Sequence, residues 1–389
     1  MESGEAAAQR AAEALFVYGT LLDARMRRAV LGAAAEGAAR PARLAGYAVR
    51  RVRGQDYPTL CPAPGAVAEG LLLEGLGAEA AARIAWLEAI DDFALIPVRV
   101  ETESGPRAAV AWIHRRAAEV ADGPWDFARW QTRPEAELMA EATAELMAAR
   151  GAIAPSEMPP LWPRFLSRAA ARLAARAEPA PTARRRRAGP GDVELIERRV
   201  PYVRYFAVEE DRLRFRRFDG GRSEEVLRAS FVMGDAVTVL PWDPRSDRVL
   251  LIEQFRAGPF ARSDPQPWCL EPIAGRRDGL EPWEETARRE AREEAGLALG
   301  RLHLVGRYYP SPGAVSEFLV SYVGEADLDG AGGIHGLAAE HEDIRVHVLP
   351  FEELMALIAS GEINTGPTIL TALWLARERP RLRRAQGHG

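Results

Sequence analysis

Three glutamates, Glu290, Glu293 and Glu294, fall at i, i+3 and i+4 in the segment Arg289-Glu290-Ala291-Arg292-Glu293-Glu294-Ala295-Gly296. In a helix that spacing sets all three carboxylates on one face. Like charges so placed repel, and a hard divalent cation with oxygen ligands relieves the repulsion, which points to Mg²⁺, with Mn²⁺ as the possible substitute. A solvated Arg/Glu helix held by i,i+4 ion pairs would explain the charges, but not the glycines at either end. Gly275 allows a sharp loop after a strand, and Gly296 is a natural left-handed helix stop. The segment therefore predicts a strand, a loop and a metal-facing helix.

Composition narrows what such a site can meet. All 51 basic residues are arginine, and no lysine occurs. That excludes a P-loop, whose lysine rests on the phosphates, and it excludes Schiff-base and pyridoxal chemistry, which need an amine nucleophile. Any phosphate must be met by arginine, by backbone amides or by a metal. With 56 acidic residues the net charge is −5, so no nucleic-acid or anionic-membrane partner is expected. Cys61 and Cys269 lie far apart, which excludes a CxxC zinc or redox motif and fits a reducing cytoplasm. The N-terminal stretch lacks the basic and apolar regions of a signal peptide, and no apolar run is long enough for a membrane span.

The 389 residues predict two or three domains of α+β class. The apolar run Leu15 to Tyr18 reads as a buried strand stopping at Gly19-Thr20, followed by a helix from Leu22 to Leu31. Alternating segments at Arg43–Arg53, Glu69–Leu73, Val98–Glu101 and Ala108–Ile113 complete a small β-rich domain. Thr132-Arg133-Pro134-Glu135 has the capping-box form and opens a helix running to Arg150; a second helix spans Trp162 to Arg176. A Pro/Ala stretch and the arginine run Arg184–Arg187 then read as a solvated linker. From Asp192 strands return, with Tyr202–Glu209 among them, and two helices close the chain. The domain boundaries read 15–115, 116–190 and 191–380.

Residues 275 to 297 match the pattern Gx5Ex7REUxEExGU, with Ala291 where a larger aliphatic is usual, and so resemble the Nudix box. Leu251-Ile252-Glu253-Gln254-Phe255-Arg256, Leu270-Glu271-Pro272-Ile273-Ala274-Gly275, Ser311-Pro312-Gly313-Ala314-Val315-Ser316-Glu317 and Gly336 to Ile344 resemble the bacterial ADP-ribose pyrophosphatase branch. The resemblance implies an α/β/α sandwich that hydrolyses ADP-ribose to AMP and ribose 5-phosphate. Glu290, Glu294, Glu342 and the Ala274 carbonyl would hold Mg²⁺, with Glu293 beside them and Glu340 as general base. Glu340 stands among Glu342 and Asp343, and like charges raise a carboxylate pKa towards a base's useful range; Glu340 to Asp343 also reads as a plain acidic turn. By the same resemblance Arg256 and Arg228 would clamp the diphosphate, Tyr205 and Phe206 would stack on adenine, and Gly313 and Glu317 would contact the terminal ribose. The stacking pair and one arginine would come from a partner subunit, implying a homodimer; Tyr205 and Phe206 read equally well as strand core.

Val17-Tyr18-Gly19-Thr20-Leu21, Tyr57-Pro58-Thr59-Leu60 and Leu87 to Val100 resemble the γ-glutamylcyclotransferase (AIG2-like) family. That implies a small β-barrel-like domain in which Tyr18, Gly19, Thr20 and Leu21 cradle a γ-glutamyl group. The family's acid/base glutamate position holds Asp91, one methylene shorter, and Glu88 nearby reads as a surface residue. A displacement of about 1 Å can cost on the order of 10²-fold in rate, which favours a ligand-binding or structural module over an active cyclotransferase. The fusion also resembles proteins labelled for tellurite resistance, a phenotype without a mechanism. Alternatives to ADP-ribose hydrolysis are another nucleotide sugar such as GDP-mannose, cyclotransferase activity, or a non-catalytic ADP-ribose sensor.

Overall fold

Six strands form the sheet of the first compact unit: β1 (Ala14–Val17), β2 (Ala39–Val52), β3 (Pro58–Glu74), β4 (Phe93–Thr102), β5 (Gly105–His114) and β6 (Ala121–Pro124). The order is β3-β1-β5-β4-β2-β6, and an additional β3–β2 pairing closes the first five into a barrel. β1, flanked by antiparallel β3 and parallel β5, is apolar along its length because both faces are covered, Leu15 and Val17 packing in one core cluster and Phe16 in another. The long β2 bends at a bulge between Ala45 and Tyr47, where Gly46 has φ 79°. This computed structural model describes residues 13–36, 39–178, 180–337 and 341–385. Two compact units interleave along the chain: Met1–Ala169 with Val193–Phe215, and Ala170–Asp192 with Arg216–Gly389.

Helices α1 (Ala24–Leu31), between β1 and β2, α2 (Gly77–Glu88), between β3 and β4, and α3 (Pro134–Ala148) belong to the first unit, and α4 (Trp162–Ala177) runs through Ala169, where that unit's first segment ends. α1 starts two residues after the expected Leu22, because Asp23 caps it by accepting from the amides of Arg25 and Met26. Met26 and Val30 on α1, Ile84 on α2 and Ala136 and Ala140 on α3 pack with Leu15 and Val17 of β1. The capping box expected at Thr132 is not formed. Its hydroxyl donates instead to the Arg129 carbonyl at 3.0 Å, closing the preceding turn, and α3 opens at Pro134 behind an extended Arg133. β7 (Val193–Val203) and β8 (Ala207–Phe215) form one antiparallel hairpin, whose turn interrupts the strand expected from Tyr202 to Glu209. Tyr205 and Phe206 accordingly sit in its turn, not in strand core.

The second unit is a sheet between helices. Among the described residues its eight strands are β10 (Ala236–Asp243), β11 (Arg248–Phe255), β12 (Trp268–Glu271), β13 (Ile273–Arg276), β14 (Leu302–Tyr308), β15 (Leu319–Glu325), β16 (Gly333–His335) and β17 (Ile344–Pro350), and β9 (Val226–Val232) lies outside this sheet. The main order is β14-β15-β10-β11-β17-β16, with β12 on β11 and β13 on β10. The helices are α5 (Trp283–Ala295), α6 (Phe351–Ser360) and α7 (Gly366–Ala385). Period-two alternation serves both faces. Val237, Val239, Leu250 and Ile252 meet Ala287 and Ala291 of α5, while Leu240, Trp242, Val249 and Leu251 meet Leu354 of α6 and Leu375 of α7. No described helix is long and apolar enough to cross a membrane.

Candidate active site

The box helix α5 begins at Trp283, over whose ring the Arg277 guanidinium lies at 4.3 Å, and ends at Gly296 in the left-handed conformation, φ 63°. The Gly296 amide bonds Arg292 O at 3.0 Å and the Leu297 amide bonds Ala291 O at 2.9 Å, so the expected helix stop is present. Gly275 has a different purpose from the one expected. It lies inside β13 and outside the left-handed region, not in a loop after the strand. A Cβ built there would come well under 3.0 Å from Cδ and both oxygens of Glu290. The Glu290 carboxylate occupies that space, so a side chain at 275 would displace it.

Glu294 is 2% exposed, and its Oε2 accepts from the Ala274 amide at 2.9 Å. The group of Ala274 engaged in the structure is thus its amide. Burial pushes Glu294 up to about 8, with the charges of Glu290 and Glu342 adding and the Ala274 amide and Arg256 opposing. Burial likewise pushes Glu290 up to about 7, Glu293 and Glu342 adding and Arg289 opposing. Glu342, brought from the start of β17, is held by the Leu337 amide on its Oε2 at 3.1 Å. Glu290, Glu293, Glu294 and Glu342 therefore share one field. Glu340 lies outside the described residues.

Arg289 is the arginine of the box pattern, four residues before Glu293. Its guanidinium bonds Glu290 at 2.7 Å, Glu293 at 3.0 Å, Glu281 at 3.1 Å and the Arg276 carbonyl at 3.0 Å. It fixes the helix to the preceding loop. Arg256 pairs with Glu271 at 2.6 Å, and its charge acts on both Glu294 and Glu317. Glu317, raised by burial, is offset by Arg276 and Arg256. The loop bearing Gly313 and Glu317 is held to the end of β9: the Phe231 amide bonds Ala314 O at 2.8 Å, and the Ser316 amide bonds Phe231 O at 2.9 Å. Arg228, exposed on β9, donates to the carbonyl of neighbouring Leu227 at 2.9 Å. Tyr205 and Phe206 belong to the first unit, where the Arg164 guanidinium lies 4.8 Å from the Tyr205 ring centre and Phe206 packs on Tyr202 at 5.3 Å.

The box carboxylates are chemically fitted to a hard divalent cation: oxygen donors only, partly desolvated, repelling one another, with Gly275 leaving room for one of them. Among the described residues, the acidic group whose oxygens lie within 4.8 Å of one another is Asp243, Asp327 and Asp329, outside the box. Arg245 already meets that charge, at 3.4 Å from Asp243 and 2.8 Å from Asp327.

In the first unit Tyr18, Thr20, Leu21 and Asp91 line one cavity of about 480 Å³. Gly19 stands beside them at φ 72°, where a Cβ would run into the Pro58 ring. Glu88 lines the same cavity, which corrects its reading as a surface residue: α2 ends there and turns its carboxyl inward. Burial, and then the charge of Asp91, pushes it up to about 8.

Residues 233–369 match the family model described as NUDIX domain, and residues 15–127 match that described as gamma-glutamyl cyclotransferase, AIG2-like. The chain is 43% identical over 187 residues to the ADP-ribose pyrophosphatase of Escherichia coli (strain K12), covering 48% of this chain and 89% of that protein. It is 36% identical over 186 residues to the ADP-ribose pyrophosphatase of Haemophilus influenzae, covering 47% and 86%. It is 32% identical over 181 residues to the GDP-mannose pyrophosphatase of Pectobacterium atrosepticum, covering 46% and 91%.

Proposed function

The chain belongs to the Nudix family through its C-terminal half, and from that premise we propose that it hydrolyses ADP-ribose to AMP and ribose 5-phosphate with Mg²⁺. The observation that carries the proposal is the fit of the Glu290 carboxylate into the space left by Gly275, next to Glu294 seated on the Ala274 amide at 2.9 Å. We assign Glu290, Glu294, Glu342 and the Ala274 carbonyl to the cation. When bound, it neutralises diphosphate charge and lowers the pKa of a bound water.

The chain's own groups do the rest. Arg289 fixes the facing direction of Glu290 and Glu293 through bonds to both. Arg256, released from Glu271, would meet the diphosphate with the bidentate geometry of a guanidinium. Arg228 is assigned to the same diphosphate, and Gly313 and Glu317 to the terminal ribose. Glu340 is proposed to take the proton from the attacking water, with Glu293 assisting.

The homodimer is part of the proposal, with Tyr205 and Phe206 stacking on the adenine of the partner's substrate. It is supported by the exposed apolar side chains of the β7–β8 hairpin, Val193, Leu195 and Tyr205 among them. Light scattering on the purified protein tests it, and a monomer would refute it. The proposed domain division, 15–115, 116–190 and 191–380, follows the order of the two matched ranges, 15–127 and 233–369, whereas the compact units assign Val193–Phe215 to the first of them. Two free cysteines support a cytoplasmic location.

A panel of nucleoside diphosphate sugars assayed with wild type, Glu340→Gln and Glu294→Gln decides the activity. Undiminished turnover in both variants would refute it. Faster turnover of GDP-mannose than of ADP-ribose would favour the second reading, which rests on the Pectobacterium relative.

A further inference from the structure

The β7–β8 hairpin follows the linker in sequence, yet it is part of the first unit. Its turn is closed by the Arg204 amide on the Phe206 carbonyl at 3.0 Å. The Arg204 guanidinium ties that turn to the segment after α3, donating to Glu157 at 3.1 Å and to the Ala152 carbonyl at 3.4 Å. Val203 and Ala207, on either side of the turn, are fully buried, whereas Tyr205 between them is 55% exposed. A side chain protruding from an anchored turn keeps its rotamer freedom unless a group outside the turn takes it up. Here that group is Arg164 of α4, whose guanidinium lies 4.8 Å from the Tyr205 ring centre.

The helix that carries Arg164 is two-sided. Trp162 and Leu166 line the first unit's cavity, and Arg164 and Arg168, two residues on, fall on the opposite side. Arg168 forms a buried ion pair with Glu145 of α3 at 2.6 Å, which ties the two helices together. The charge of Glu145 also acts on Arg198 of β7, which in turn meets Asp211 and Glu209 of β8 at 2.7 and 3.0 Å. The side of α3 and α4 away from the cavity is thus a charged bed for the hairpin. On it, an arginine over an aromatic face is attracted by the ring's quadrupole, and its planar guanidinium limits where the ring can turn. Arg164 lies between the ranges of the two family matches, 15–127 and 233–369, and in neither of them.

We propose that Arg164 is a positioning residue for the nucleotide: by stacking on Tyr205 it fixes the ring in the pose from which Tyr205 meets adenine. This role rests on the assignment of Tyr205 to adenine stacking made above, and it gives the helical connector a share in substrate affinity. Ordering the ring before the substrate arrives removes an entropic cost from binding. Without Arg164 the substrate bears that cost in the ground state and the transition state alike, which raises KM and leaves kcat nearly unchanged.

Steady-state kinetics of ADP-ribose hydrolysis by the full chain test this with Arg164→Ala, Arg164→Lys, Tyr205→Ala and the double variant Arg164→Ala/Tyr205→Ala. Arg164→Ala should raise KM about five-fold with kcat within about two-fold of wild type, and Arg164→Lys, which keeps a cation over the ring, should recover most of the loss. Should Arg164→Ala fold poorly, Arg164→Met, which keeps the apolar stem, carries the same expectation. In the Tyr205→Ala background Arg164→Ala should add nothing, because the ring it holds is gone; a purely structural arginine would add its own loss there. An unchanged KM in Tyr205→Ala would refute the adenine-stacking assignment and the role of Arg164 with it. A raised KM in Tyr205→Ala beside an unchanged KM in Arg164→Ala, or additive losses in the double variant, would refute the role of Arg164 alone.

Discussion

Replacing Gly275 with alanine tests the site through a single methyl group. The Cβ would land well under 3.0 Å from all three carboxyl atoms of Glu290, inside β13, where the paired backbone of β10 prevents the strand from backing away. Glu290 must therefore swing out by roughly 1 Å or more, and a misplacement of that size costs on the order of 10²-fold in rate. Overpacking by one methyl adds about 1–3 kcal/mol of destabilisation, which leaves a domain of this size folded. Expected, then, is a loss of about 10²-fold in kcat for ADP-ribose, read as AMP release at saturating Mg²⁺, with the far-ultraviolet circular dichroism spectrum unchanged. The decisive step is a cycle with Glu290→Ala. Once the carboxylate is gone, Gly275→Ala has nothing to displace and should cost no further activity, so the two losses should be strongly non-additive. Kinetics within two-fold of wild type for Gly275→Ala, or the same fold loss in the Glu290→Ala background, would refute the reasoning.

Arg256→Ala should raise KM for ADP-ribose about ten-fold with a smaller effect on kcat, because it removes a diphosphate contact rather than a metal ligand; an unchanged KM in steady-state kinetics would count against the clamp. Gly296→Ala should destabilise the second unit by about 1 kcal/mol in urea denaturation, since alanine must hold φ near 63°, with Gly296→Asn milder. Glu88 is raised from 4.5 to about 8, so the folded form keeps a proton that the unfolded chain releases between those pH values. Wild-type stability therefore falls as pH rises through that window, by at most about 1.4 kcal/mol per pH unit. Glu88→Gln should match wild type near pH 4.5 and exceed it in thermal midpoint at pH 8.5; a gap that is constant across pH would show that burial of the carboxylate is not the cause.

Local pattern was enough for the box helix. The i, i+3, i+4 spacing of Glu290, Glu293 and Glu294 and the left-handed stop at Gly296 depend only on helix geometry, which a sequence carries directly. The same holds for β10 and β11, whose near-continuous apolar runs mark buried strands. Segments whose partners lie far along the chain were harder. Thr132 has the form of a helix cap, but the preceding turn takes its hydroxyl first. Tyr205 and Phe206 read as strand, yet the pairing of β7 with β8 makes them a turn.

The sequence by itself determined the chemistry of this protein: carboxylates spaced for a helix face, arginine as its sole basic residue, and a glycine at each end of the box. Only the tertiary structure decided what those residues are for. At Gly275 the carboxylate of Glu290, fifteen residues later, fills the place a side chain would take. Glu88, at the end of an ordinary helix, becomes a half-buried acid because it faces the cavity that residues of β3, β5 and α3 also line. Spacing within a helix is fixed by covalent geometry, whereas burial and close approach depend on residues that only folding brings together.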